Sequence, residues 1–108
     1  MQEQEAVLLR VYLAEGERYQ NKSSYEYVLE RANVAGMAGV TVLRGILGYG
    51  KKHHLHSAKV LRLSENLPLV IEIVDSCEKI QGFLPVLQEC LPGALITQEK
   101  VQILKPLS

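Results

Sequence analysis

Three observations predict an α+β fold in which two helices cover one face of a four-stranded antiparallel sheet. Residues Ala6 to Ala14 alternate strictly between two faces, which is the signature of a strand. Two later segments repeat apolar residues at three- and four-residue spacing, each opened by a capping residue with Glu three positions on. Runs rich in Val, Ile and Leu frame each of those segments, so strand-helix-strand occurs twice.

The elements follow in order. From Ala6 to Ala14, Val7, Leu9, Val11 and Leu13 share one face while Leu8, Arg10 and Tyr12 share the other. Glu15 to Lys22 reads as a polar loop. Ser23 opens the first helix with Glu26 at the box position, and Tyr25, Val28, Leu29 and Ala32 form its apolar stripe. Gly36 or Gly39 ends it. Val40 to about Tyr49 is the second strand. A long polar loop, Gly50 to Asn66, separates it from the third, and Ala58 to Leu63 alternates enough to add strand at its far end. The third strand, Leu67 to Val74, has Pro68 at its start, where a missing N–H is tolerated. Asp75 caps the second helix with Glu78 at the box position, and Ile80, Phe83, Leu84, Leu87 and Leu91 form its stripe. Gly82 and Pro85 lie inside that helix and are expected to weaken or kink it. Gly93 precedes a last strand that includes Val101 to Leu104.

The order βαββαβ is the ferredoxin-like arrangement. It leaves one sheet face uncovered, whose candidate residues are Leu8, Arg10 and Tyr12 from the first strand and Val70, Glu72 and Val74 or their alternates from the third. That face is apolar enough to mark an interface, and self-association is the natural way to cover it.

A chain of 108 residues is expected to form a single domain over 1–108. Its 47% hydrophobic and 22% charged residues are ordinary for a globular protein. Twelve basic residues balance twelve acidic ones, which removes the broad attraction that nucleic-acid binding relies on. The acidic start Met1-Gln2-Glu3-Gln4-Glu5 lacks the features of a signal peptide, and no apolar run approaches the roughly 18 residues a membrane span needs. A cytoplasmic location is the expectation. Cys77 and Cys90 read as free thiols that pack the second helix.

The most informative stretch for function is Gly36 to Lys52. Gly45, Gly48 and Gly50 permit positive φ or close approach, and Arg44, Lys51 and Lys52 flank a run of backbone N–H groups suited to an anion. The alternative is a bulged strand leading into a hairpin. His53, His54 and His56 have spacing that could bind a divalent metal, but no Cys or carboxylate adjoins them. Arg10, Arg44 and Glu72 fall on strands and need partners, either one another or, for Arg44, an anionic ligand. Glu15, Arg18, Tyr19 and Lys22 read as a solvated loop. No nucleophile–base–orienter set or complete phosphate-binding loop is present, so no catalytic residue is expected and the chain reads as a non-enzyme.

The run Gly39-Val40-Thr41-Val42-Leu43-Arg44-Gly45-Ile46-Leu47-Gly48-Tyr49-Gly50 resembles PII-like proteins of the uncharacterised-domain family grouped with nitrogen-regulatory PII. So do His56 to Ser64 and Leu67 to Asp75, and the resemblance spans about Leu8 to Ile103. It implies a ferredoxin-like subunit, a homotrimer, and a small anionic effector in the clefts between subunits. Gly48-Tyr49-Gly50-Lys51 stands where PII carries its Gly-aromatic-Gly-basic turn beside nucleotide phosphates. The implied ligand-binding set is Arg44, Gly45, Gly48, Tyr49, Gly50 and Lys51. Two departures qualify it. Leu91 to Thr97 replaces the Gly-Asp-Gly-Lys loop of PII, and Lys51 to Leu55 lacks a tyrosine for uridylylation. A smaller adenine nucleotide is therefore the expected effector, with no required cofactor. Expected partners are other copies of the chain and an unidentified protein or membrane transporter, reached through a mobile loop. The runner-up is a divalent-metal-binding trimer of the CutA type using the histidines. A small ferredoxin-like enzyme stands behind that.

Overall fold

The computed structural model describes residues 2–49, 55–57 and 66–105. The chain runs through β1 (Gln2–Ala14), a small hairpin of β2 (Arg18–Tyr19) and β3 (Lys22–Ser23), then α1 (Ser24–Val34) and β4 (Gly39–Arg44). It continues through the paired β5 (Leu47–Tyr49) and β6 (Leu55–Ser57), then β7 (Pro68–Asp75), α2 (Cys77–Cys90) and β8 (Leu95–Lys105). The main sheet has the order β4-β7-β1-β8, with antiparallel neighbours throughout. This is the ferredoxin-like topology expected from the alternation.

The alternation of β1 decides which face is covered. Val7, Leu9, Val11 and Leu13 are buried with Leu69, Ile71 and Ile73 of β7. Val28 and Ala32 of α1 and Ile80, Phe83, Leu87 and Cys90 of α2 close over them, so both helices lie on this one face. Each fully buried aliphatic side chain contributes about 1.5–3 kcal/mol. β1 begins at Gln2 rather than near Ala6, because Gln2 to Ala6 pair with Lys105 to Val101. Among the described residues those five pair with β8 alone, forming a two-stranded ribbon beyond the sheet. Glu3 to Glu5 are exposed, so no alternation marks this part of the strand.

Ser23 is the N-cap of α1, as its position predicts, but its side chain makes no capping hydrogen bond. The expected polar loop before it folds into the β2–β3 hairpin, with Gln20 (φ 49°) and Asn21 (φ 65°) both left-handed at the turn. Such a turn matches the twist of paired strands. The buried face of α1 is Ser24, Val28 and Ala32, and Leu29 is turned outward at 42% exposure. The helix stops at Gly36 (φ 70°), where Gly36 N donates to Asn33 O (3.0 Å) and Met37 N to Ala32 O (3.1 Å). This pair of bonds is the Schellman ending that a left-handed glycine allows.

The cap of α2 is Ser76, one residue beyond the expected Asp75. Ser76 Oγ accepts from Lys79 N at 3.3 Å. Asp75 instead ends β7 and is buried, accepting from Ser76 N (2.6 Å) and from Ala38 N (2.8 Å). Lys79 Nζ lies 3.5 Å from Asp75 Oδ2 and donates to Gly36 O at 2.8 Å. One carboxylate and one ammonium thereby join the end of α1, the approach to β4, the end of β7 and the start of α2. The helix α2 runs on through Gly82 and Pro85, because burial of Ile80, Phe83 and Leu87 outweighs their weak helix preference. No helix among the described residues is long and apolar enough to cross a membrane.

Burial pushes the Asp75 carboxyl upward, but the Ser76 and Ala38 amides and the Lys79 ammonium outweigh it and hold it below its usual 3.8. A depressed folded value means stability present above the ordinary aspartate range and lost as pH falls through the folded value. Asp75→Asn is expected to cost about 1.5–3 kcal/mol near pH 7, as for hydrogen bonds to charged groups. Urea denaturation at pH 7 and below pH 4 should show the deficit shrinking with acid.

Candidate functional site

Of the candidate ligand-binding residues, Arg44 and Gly45 lie where β4 leaves the sheet. Gly45 N donates to Pro68 O at 2.7 Å, and the ladder stops there because Pro68 has no N–H to return. A Cβ on Gly45 would stand 3.0 Å from Pro68 Cγ and 3.4 Å from Pro68 O. Gly45 therefore serves close approach to a neighbouring strand, without a positive φ. The expected single strand from Val40 to Tyr49 is thus two strands, β4 and β5, broken at Gly45 and the exposed Ile46. β5 then pairs with β6, placing Gly48 opposite His56 and Tyr49 opposite Leu55. Gly50 and Lys51 lie outside the described residues, as do Lys52, His53, His54 and the expected strand at Ala58 to Leu63.

Arg44 does not pair with Arg10's network. Its Nη2 donates to Glu15 Oε2 across the end of the sheet. The Glu15 side chain is only 14% exposed against 57% for Arg44. The second carboxylate oxygen, Glu15 Oε1, is buried and has no hydrogen-bond partner among the described residues. Glu15 N donates to Leu67 O and Gly16 N to Asn66 Oδ1, both at 2.8 Å. Residues 15–16, 44–45 and 66–68 therefore meet in one clasp, at both ends of the segment that separates β4 from β7.

Glu15 departs from the solvated loop expected of it. Its position directly after the alternating run, where the chain still touches the sheet end, is the signal that separates it from Arg18 and Lys22. Arg18 Nη2 donates to Asn21 O at 2.9 Å, and Lys22 pairs with Glu30 at 2.8 Å, both on the surface. Tyr19 is packed rather than solvated. Its ring meets Tyr27 edge-on at 4.8 Å, and its hydroxyl donates to Glu89 at 2.7 Å. The Glu89 hydrogen bond, aided by burial, pushes the Tyr19 phenol up to about 12.

The uncovered face carries the expected residues. Arg10 sits opposite Glu72 in the register and donates to it at 3.0 Å, and it donates to Glu99 of β8 at 2.7 Å. Glu72 first and Glu99 second raise the Arg10 guanidinium further above its usual value. This three-strand charge bridge is ringed by Leu8, Val70, Val74 and Tyr12, with Leu43 (48% exposed) and Leu95 (58%) on the outer strands. Of the two cysteines, Cys90 packs in the core, where burial pushes its thiol up, whereas Cys77 is exposed at the start of α2.

The family model DUF190, "Uncharacterized ACR", matches residues 6–103. A UPF0166 protein from Aquifex aeolicus (strain VF5) is 42% identical over 97 residues, 90% of this chain and 91% of that protein. A UPF0166 protein from Methanocaldococcus jannaschii is 37% identical over 86 residues, 80% of this chain and 79% of its own. Among solved structures, CPII from Thiomonas intermedia K12, a nitrogen regulatory PII-like protein bound to ADP, AMP and bicarbonate, superposes with a TM-score of 0.70. That match is 15% identical and covers 98% of this chain and 100% of CPII. A PII-like signalling protein from Thermus thermophilus matches with a TM-score of 0.64 and 18% identity, covering 95% of this chain and 92% of its own.

The Gly45 contact sets a direct test of the clasp. Gly45→Val is expected to lower stability by about 1–3 kcal/mol, the usual cost of overpacking, and Gly45→Ala by less. Urea denaturation midpoints should rank wild type above Gly45→Ala above Gly45→Val.

Proposed function

This chain belongs to the DUF190 family of PII-like proteins, and on that premise we propose that it is a non-catalytic regulatory protein. It assembles as a homotrimer and binds an adenine nucleotide in the clefts between its subunits. The observation that carries this reading is the likeness to CPII over nearly the whole chain, since CPII is a PII-like protein with ADP and AMP bound. The charge-bridged, apolar open face supports self-association, because a partner would cover Tyr12, Leu43 and Leu95.

The nucleotide's phosphates would lie against Gly48, Tyr49, Gly50 and Lys51. Arg44 would add a planar fork suited to phosphate oxygens. Binding there would reorganise the segment between β4 and β7 and change what it offers a protein or membrane-transporter partner. An ADP or AMP site suits the absence of a Gly-Asp-Gly-Lys loop before the last strand, where Leu91 to Thr97 stand instead.

Assembly is checked by sedimentation equilibrium at micromolar concentration, with a trimer expected. Leu8→Asp should shift the mass toward a folded monomer, because it places a charge on the face a partner would bury. A wild-type monomer would sink the trimer. Ligand binding is checked by thermal shift and calorimetry with ADP and AMP, since a ligand that binds the native state raises the melting midpoint. Lys51→Ala is expected to weaken ADP by about 1.5–3 kcal/mol, the range for a hydrogen bond to a charged group. An unchanged affinity would move the phosphates away from Lys51.

A further inference from the structure

Glu15 and Arg44 form an ion pair at the point where the nucleotide reading needs Arg44 for a ligand. We infer that Glu15 is a built-in competitor: its carboxylate occupies the Arg44 guanidinium until a phosphate-bearing ligand takes it away. The inference rests on the nucleotide reading above and adds the regulation of that site.

The two partners are unequally placed. Arg44 is more than half exposed, and its long side chain leaves from the last residue of β4, just before the break at Gly45. It has the reach to leave Glu15 for a ligand on the solvent side. Glu15 cannot follow, because the backbone around it is tied down. Its own N–H is bonded to Leu67 O, and the next N–H, of Gly16, is bonded to Asn66 Oδ1. Arg44 can therefore move while the carboxylate stays.

The carboxylate is also costly where it stands. It is largely covered, Arg44 is its one ion-pair partner among the described residues, and Oε1 has no hydrogen bond there. A covered charge with one oxygen unpaired is an expensive way to hold a sheet end together, and a neutral or apolar side chain would serve stability better. An acid at this place makes sense as an opponent to a ligand. Taking Arg44 away leaves Glu15 with no ion-pair partner among the described residues, so an incoming anion must repay that loss. A singly charged carboxylate offers Arg44 little more than Glu15 does. A phosphate with two negative charges and three oxygens offers more. The pair thus sets a threshold that favours phosphate groups over simple carboxylates. Because the clasp holds residues at both ends of the segment between β4 and β7, release of Arg44 also loosens the point from which that segment departs.

The test is calorimetric titration of the full chain with ADP and with acetate, for wild type, Glu15→Gln and Arg44→Gln. The Arg44 Nε–H signal is followed by NMR in the same samples. Glu15→Gln keeps the shape but removes the charge, and it should bind ADP about fivefold more tightly, the upper scale of a partly exposed ion pair. It should also bind acetate measurably where the wild type does not. Arg44→Gln should weaken ADP by about tenfold or more, as expected for loss of a charge-assisted donor. In the wild type, ADP should shift the Arg44 Nε–H signal. Should Glu15→Gln fail to fold, Glu15→Asp, which shortens the reach to Arg44, must show the same direction of change. ADP binding that is equal or weaker in these Glu15 variants overturns the competitor while the nucleotide reading stands. No ADP binding to wild type or any variant at millimolar concentration overturns both.

Discussion

The central constraint is that β1 is paired on both edges and used on both faces. From Val7 to Tyr12 the strand pairs with β7 on one side and β8 on the other. Val7, Leu9, Val11 and Leu13 are sealed beneath two helices, and Leu8, Arg10 and Tyr12 form the middle of the uncovered face. A slip of one residue would put Leu8, Arg10 and Tyr12 into the core and expel Leu9 and Val11, so the register is held by burial as strongly as by hydrogen bonds. The neighbours inherit their register from it. Glu72 faces Arg10 because Val11 must lie beside Ile71, and β4 takes its place from β7.

The two ends of the sheet are finished by different chemistry. At one end Asp75 and Lys79 bind loose backbone groups at the end of α1, the approach to β4 and the start of α2. At the other end Glu15, Arg44, Gly45 and Pro68 close the sheet, and a buried oxygen remains unpaired among the described residues. Local imperfection of this kind collects where a structure must change state, whereas the satisfied end serves as the fixed frame. Of the proposed ligand-binding residues, Arg44 and Gly45 fall at the imperfect end.

The fold was legible because it rests on periodicity. Alternation in β1 and the three-four spacing of α2 are strong signals, and they identified the core and the first strand's share of the uncovered face. By contrast, β7 is apolar on both faces, and its outward set, Val70, Glu72 and Val74, was decided only by its pairing with β1. The misses come from interactions between distant parts of the chain. Gly45 was readable as a bulge or a close approach, but Ile46 and Leu47 continue the apolar run after Leu43, so the full break was not legible. The cause is Pro68 on the adjacent strand. Asp75 and Ser76 are both good caps, and the choice between them was decided by Ala38, which needs an acceptor. Leu29 fits the stripe of α1 by spacing yet faces outward, because Ser24, Val28 and Ala32 allow the helix to lie closer to the sheet. At the candidate site, Arg44 and the glycines were visible as residue types. The opposition of Glu15 was not, because its position after the strand signals contact with the sheet end but not that Arg44, 29 residues on, is its partner.

The ribbon formed by Gln2 to Ala6 and Val101 to Lys105 has a consequence for how the sheet comes apart. Gln2 and Lys105 are register partners, so the two strands of the ribbon reach its outer described rung together. Among the described residues, the rungs from Gln2 to Glu5 are held by β8 alone and can open without disturbing the helices or the register of β1 against β7. Fraying begins there at low cost, and it stops at Val7, where the third strand joins.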